Sequence, residues 1–231
     1  MSRLTFPSFR DIEALGRLRR WPGRPVVAAL LVDQLAPRRL LDVGCKSGWL
    51  LEHSRAAFKI GLDVDPASGA RVIGSALRLP LAPEAFDVVA LLDVIEHLPP
   101  GSETSVSREM WRVLRPDGHL VISTPSDWTV GRRSDPQWIL DHEAHRHYRL
   151  EHLLEWVTDA GFEPVLTGVR GGWADVVGLP LEYTCRRLRL PMPFAQPLLG
   201  WGWREYSRPG RYTNFILVRK LRDRHPRAGP G

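Results

Sequence analysis

What this sequence has little of narrows it first. It holds two cysteines, Cys45 and Cys185, among 231 residues. That excludes a disulfide framework and fits a reducing compartment, so a cytoplasmic location is expected. No stretch reaches the roughly 18 uninterrupted apolar residues of a spanning helix. Residues 1–20 scatter charge among their apolar positions and lack an apolar core, which argues against a secretory signal. Helix-turn-helix patterns, aromatic RNA-stacking motifs, internal repeats and low-complexity segments are all missing. Nucleic acid is therefore an unexpected partner, despite a net charge of +6 from 32 Lys and Arg against 26 Asp and Glu. The basic excess gathers at 17–24, Arg132-Arg133, 186–189 and 219–227. Such dispersed charge suits solvent, an acidic substrate or an anionic membrane surface.

Two familiar phosphate motifs are also missing where they would be sought. The apolar run at 40–43, carrying Asp42, ends in the turn Gly44-Cys45-Lys46-Ser47-Gly48. A second apolar run ends in Asp63, about twenty residues after Gly44. Turn glycines that admit close backbone approach, followed by an acidic residue able to accept ribose hydroxyls, mark a nucleotide-type site at the carboxyl edge of a parallel sheet. A dinucleotide fingerprint needs glycine at positions held here by Gly44, Lys46 and Trp49, which disfavours NAD. A phosphate-binding loop needs glycine where Cys45 and Leu40 stand. S-adenosylmethionine (SAM) is the nucleotide-type ligand left.

Strand-like runs recur near 40–43, 60–63, 72–73, 88–92, 120–124, 163–167 and 214–219. Helix-like segments lie near 25–35, 48–57, 102–114 and 150–160. Alternation of this kind predicts an α/β doubly wound sheet covered on both faces. One domain over 1–231 is expected, with a helical segment at 1–37 and insertions at 125–148 and 171–209. The insertions follow late strands and can reach the same sheet edge. Prolines in the second insertion argue against one long helix.

At this point the chain resembles the class I SAM-dependent methyltransferases. The resemblance runs from about Arg38 to Phe162 and more weakly to Lys220. It rests on the glycine turn and Asp63, on Ser75-Ala76-Leu77-Arg78-Leu79-Pro80, and on Leu92-Asp93-Val94-Ile95-Glu96-His97-Leu98. Val113-Leu114-Arg115-Pro116-Asp117-Gly118 and Ala160-Gly161-Phe162 extend it. It implies a seven-stranded, mostly parallel Rossmann-like sheet and SAM as cofactor. The cofactor-binding residues it implies are Asp42, Gly44, Cys45, Lys46, Gly48, Asp63, Val64, Ser75, Ala76, Leu77, Leu92 and Asp93. Asp63 is the ribose acceptor among them, and Val64 and Leu77 flank the adenine. Asp42 braces the turn or meets the SAM amino group, and Asp65, before Pro66, suits a helix cap. Two positions depart from the family pattern: Lys46 stands where glycine is usual, and Ser75 where an acidic residue is usual.

Methyl transfer needs alignment, exclusion of water and, when the nucleophile is protonated, a base. His97, just after the fourth strand, is one candidate. The run from Asp141 to Tyr148 supplies His145 and His147 as two more. That run fails the H-E-x-x-H spacing because Arg146 stands where the second histidine should be, so no metal is expected. Glu96, Trp128, Trp138, Tyr148 and Trp173 are candidates for the acceptor wall. The acceptor is expected to be a small molecule, lipid-linked compound or glycan. Arginines beside apolar stretches at 176–199 add peripheral association with anionic lipid. Two other functions compete: a degenerate methyltransferase-like scaffold, suggested by Lys46 and Ser75, and an RNA methyltransferase. Asp93-Val94-Ile95-Glu96 stands where base N-methylating enzymes carry Asn-Pro-Pro-Tyr.

Overall fold

The computed structural model describes residues 4–19, 23–141, 143, 145–192 and 194–222. His142 and Ala144 of the histidine-rich run, and the basic tail from 223 onward, lie outside the described residues, as do residues 20–22 of the first basic cluster.

Seven strands form one sheet. They are β1 (Arg39–Val43), β2 (Phe58–Asp63), β3 (Val72–Ile73), β4 (Phe86–Leu92), β5 (Leu114–Pro125), β6 (Phe162–Arg170) and β7 (Thr213–Lys220). Their spatial order is β3-β2-β1-β4-β5-β7-β6. β1 to β5 run parallel, and β7 is antiparallel to both β5 and β6. The order reverses at β1: β2 and β3 lie on one side of it, and the chain then crosses from β3 to β4 on the other. Ligands of open α/β sheets bind outside the strand ends at such a switch point.

Nine helices are found among the described residues. α1 (Phe9–Arg19), α2 (Gly23–Gln34), α3 (Trp49–His53), α4 (Glu103–Val113) and α5 (Thr129–Ser134) come first. α6 (Pro136–Leu140), α7 (Leu150–Asp159), α8 (Trp173–Leu188) and α9 (Ala195–Tyr206) follow. β4 is buried along nearly its whole length. Its alternate residues serve two cores, as the period of two requires. Val89 and Leu91 pack with Val106 and Met110 of α4 and Leu153 of α7. Val88 and Ala90 pack with Val27 and Leu31 of α2 and Trp203 of α9. Each such apolar side chain contributes about 1.5–3 kcal/mol on burial.

Two elements differ from the sequence reading. The helix expected over 48–57 is one turn, Trp49–His53, because Lys59 Nζ binds the Leu51 and Ser54 carbonyls at 2.7 and 3.1 Å and ends it. The insertion at 171–209 is two helices, α8 and α9, parted between Arg189 and Phe194, both at positive φ. Pro180 lies inside α8. Glu205 of α9 caps the start of α8, accepting from the Trp173 and Ala174 amides at 3.2 and 2.8 Å. Tyr206 Oη donates to Asp175 Oδ1 at 3.1 Å. At Gly23 of α2, a Cβ would stand 2.3 Å from the Tyr206 ring, so α9 seats directly on the α2 backbone. The hairpin therefore folds back over the sheet edge.

Candidate active site

The turn after β1 is shaped by backbone and by one carboxylate. Gly44 has φ of 75°, and a Cβ there would stand 2.3 Å from Val94 Cγ2. The Gly44 amide donates to the Leu62 carbonyl at 2.7 Å, and the Lys46 amide to Asp63 Oδ2 at 2.8 Å. Asp63 Oδ1 takes the Asp65 amide at 3.0 Å. Asp63 is thus the residue that braces this turn. Asp65 caps the short helical turn Pro66–Ser68 through Ala67 at 2.8 Å. Asp42 is buried, and its carboxyl is pushed up to about 7 by burial and by the neighbouring Asp63.

Beside the turn lies a cavity of about 510 Å³. Gly44, Lys46, Asp63, Val64, Ser75, Ala76 and Asp93 line it, with Val94, His97 and Leu98 opposite. Asp42, Cys45, Gly48, Leu77 and Leu92 do not line it. Cys45 packs against Gly61, Leu77 and Leu92 join the two cores, and Gly48 precedes α3. Ser75 Oγ accepts from the Leu77 amide at 3.2 Å and so braces its own loop. The residues fit an adenosine. A buried carboxylate sits at the strand end, small residues bound the floor, and Val64, 72% exposed, offers an apolar lip.

A second chamber, about 190 Å³, shares Lys46, Asp93 and His97 with the first. Lys46 and Asp93 are non-glycine residues with φ of 44° and 53°, strained backbone of the kind that concentrates at functional sites. Asp93 Oδ2 pairs with Arg24 Nε of α2 at 3.0 Å. Burial works against the Arg24 charge, but Asp93 restores it and holds its pKa above the ordinary value. Glu96 is buried, accepts from Thr124 Oγ1 at 3.0 Å, and is pushed up to about 8 by burial and the Asp93 charge. The Glu96–His97 turn is clamped from behind. Arg146 Nη2 donates to the Ile95 and Leu98 carbonyls at 3.2 and 2.6 Å, and Tyr148 Oη to the Ile95 carbonyl at 3.1 Å.

The first insertion brings three imidazoles together. His97 and His145 have ring centroids 4.7 Å apart, and His145 and His147 5.6 Å. Asp135, which caps α6 by accepting from the Gln137 amide at 2.9 Å, meets His145 Nε2 at 3.2 Å. Burial opposes ionisation of Asp135, yet the imidazoles hold its carboxyl well below the usual range. Asp135 and His145 line the second chamber, and α8 closes it with Leu179, Glu182, Tyr183 and Arg186.

Among the acceptor-wall candidates, only Glu96 lines this chamber. Trp128 and Trp173 pack edge to face at 5.5 Å, Trp138 lies against Arg132, and Tyr148 is a buried pin. Arg24, Asp135 and the α8 residues are new members. Asp135-Pro136 repeats the cap signature of Asp65-Pro66 and was legible as a helix start, though not as a site residue. Leu179 and Glu182 also line an apolar groove of about 360 Å³ running between α8 and α9 past Leu198 and Leu199.

Comparison with known proteins agrees with this geometry. The chain is 32% identical over 177 residues to a probable SAM-dependent methyltransferase of Mycolicibacterium smegmatis, covering 70% of this chain and 66% of that protein. It is 31% identical over 183 residues to a ubiquinone biosynthesis O-methyltransferase of Pseudomonas putida, covering 68% and 74%. Against the same-named protein of Proteus mirabilis the match covers 62% of the relative, so this chain spans a little under two thirds of some curated relatives. The [4+2]-cyclase SpnF has the same fold, with TM-score 0.59 at 23% identity over 84% of this chain and 81% of that one. So does a geranyl diphosphate methyltransferase solved with GPP and sinefungin, with TM-score 0.56 at 18% identity over 84% and 76%. A methyltransferase-domain family model matches residues 17–167, well over half of the chain. The matched stretch contains the glycine turn and the acidic end of β2, and the chain belongs to the class I SAM-dependent methyltransferases.

Proposed function

We propose that this chain transfers the methyl group of SAM to a hydroxyl oxygen of a small amphiphilic acceptor. The carrying observation is adjacency: the turn cavity and the polar chamber share Lys46, Asp93 and His97 in their walls, and the chamber and the apolar groove share Leu179 and Glu182. Bound SAM supplies a methyl group already activated on sulfur. The chain has to bind, align and exclude water. Asp63 accepts the ribose hydroxyls, and Val64 and Ala76 flank the adenine. Arg24 and Lys46 are the cations for the methionyl carboxylate. His97 faces the acceptor hydroxyl and takes its proton. An apolar tail fits the groove, and the O-methyltransferase names of the 31%-identical relatives support an oxygen acceptor.

Titration calorimetry with SAM and its demethylated product, then transfer of labelled methyl to phenols and alcohols of increasing tail length, tests this. Saturable binding is expected, with turnover rising with tail length. A folded protein that binds neither ligand would favour the scaffold reading instead.

The α8–α9 hairpin favours delivery from an anionic surface. Leu188, Leu190 and Phe194 are 60%, 57% and 76% exposed, beside Arg186, Arg187 and Arg189. Among the described residues no helix is long and apolar enough to cross a membrane. Co-sedimentation with anionic liposomes is expected at low salt and lost at high salt. Protein that stays in the supernatant at low salt would refute this part alone.

A further inference from the structure

We infer that Asp135, His145 and His147 form a binding site for a divalent transition-metal ion of the zinc class, set in the wall of the acceptor chamber. The three donors come from two segments, the cap of α6 and the stretch leading into α7. Asp135 Oδ2 lies 3.2 Å from His145 Nε2 and 3.4 Å from His147 Nε2. All three donor atoms lie within 4.8 Å of one another. A tetrahedral ion with bonds of about 2.0–2.1 Å holds its ligands about 3.3–3.4 Å apart. The two spacings to Asp135 are close to those of such a shell, and the third pair of donors lies within 4.8 Å.

The proton inventory points the same way. His147 Nδ1 lies 2.9 Å from the Ser126 carbonyl oxygen, which can only accept. Nδ1 therefore carries the hydrogen, and in a neutral ring Nε2 carries the lone pair. That Nε2 is buried, makes no hydrogen bond, and faces a carboxylate oxygen. A proton on Nε2 or a metal ion must lie between these two atoms, and a metal ion alone serves Asp135, His145 and His147 at once. A carbonyl that fixes the tautomer from behind is the usual support of a metal-bound imidazole. Two imidazoles and one carboxylate, with no thiolate, suit zinc, cobalt or iron better than magnesium or calcium.

Asp135 and His145 line the chamber, so the remaining position is filled from there, by water or by an acceptor oxygen. With one carboxylate and two neutral rings, a dication keeps a net positive charge and favours an ionised oxygen ligand. The H-E-x-x-H test could not find this set, because Asp135 stands ten residues before His145 in the chain.

The inference does not depend on methyl transfer, and a protein without turnover would still bind the ion. The test is titration of chelator-stripped, full-length protein with Co²⁺, read by visible absorption, with Zn²⁺ as competitor. One Co²⁺ per chain is expected, with bands of a four- or five-coordinate nitrogen–oxygen site. Asp135→Asn and His147→Gln should each weaken binding by at least about 100-fold. His152→Gln, at an exposed position of α7, should bind as wild type. Stripped wild-type protein should also melt higher once Zn²⁺ is added, a readout that needs no variant. Folded wild type without saturable binding, a thiolate band placing the ion at a cysteine, or full affinity in both variants would each overturn the assignment.

Discussion

The two cavities that meet at Lys46 are built in opposite ways. The cofactor cavity is made by strand ends and the turns that leave them, so its parts are close in sequence and fixed largely by backbone. The acceptor chamber is made by side chains from α2, the β4 turn, the first insertion and α8, and no backbone pattern links them. Under the function proposed above, the first end carries the chemistry and the second selects the substrate. That division lets one fold serve many acceptors.

The comparison can be broken most severely at Gly44. With φ of 75° and Val94 Cγ2 2.3 Å from a would-be Cβ, Gly44→Val should cost roughly 2–5 kcal/mol in urea unfolding and abolish SAM binding. A variant that folds and binds normally would show that the turn is not set by backbone. Next in size, Asp63→Ala should weaken SAM binding by about 1.5–3 kcal/mol in calorimetry, through loss of hydrogen bonds to a charged acceptor. Unchanged affinity in a folded variant would remove Asp63 from the cofactor.

A third variant sharpens the contrast from the other side. Leu179→Arg places a charge where the chamber meets the groove. kcat/KM for a tailed acceptor should fall about 10-fold or more, as apolar pocket changes do, with SAM affinity within about 2-fold. Equal losses for cofactor and acceptor would mean that the cavities are not separable.

The smallest effect concerns the buried pair Asp42 and Asp63. Burial and the Asp63 charge raise Asp42 to about 7, above its unfolded value. The folded state therefore holds a proton that the unfolded chain releases. Stability should fall as pH rises from about 4 to 7, the reverse of an ion-paired carboxylate. Asp42→Asn should flatten that fall by roughly 1–2 kcal/mol across urea melts at several pH values. A slope identical to wild type would mean that Asp42 is ionised throughout.

The same contrast sets how much was legible beforehand. β1, β2 and β4 read as apolar runs because parallel strands are covered on both faces, and Gly44 and Asp63 stand at their ends. The chamber offered no such regularity. Arg24 reaches it only because α2 lies across the sheet edge and places it beside Asp93. Leu179 reaches it only because the hairpin folds back. Trp128 and Trp173 looked like acceptor wall by composition, but the two large rings, one in each insertion, pack edge to face on each other. Tyr148 looked like a wall, yet its hydroxyl could satisfy the buried Ile95 carbonyl and Glu103, and that demand placed it in the core.

The position of β7 between β5 and β6 has a consequence for the newborn chain. β6 has no neighbour in the sheet except β7, which is the last strand to be made. Until it emerges from the ribosome, the five strands β3-β2-β1-β4-β5 can already pair in their final order and α9 can seat on α2, while β6 has no strand to pair with. The closing step is a long-range insertion, the slow kind, and it leaves the β5 edge open until it is done. The strand ends around the glycine turn can thus be in place before β7 is made, while β6 joins the sheet only after it.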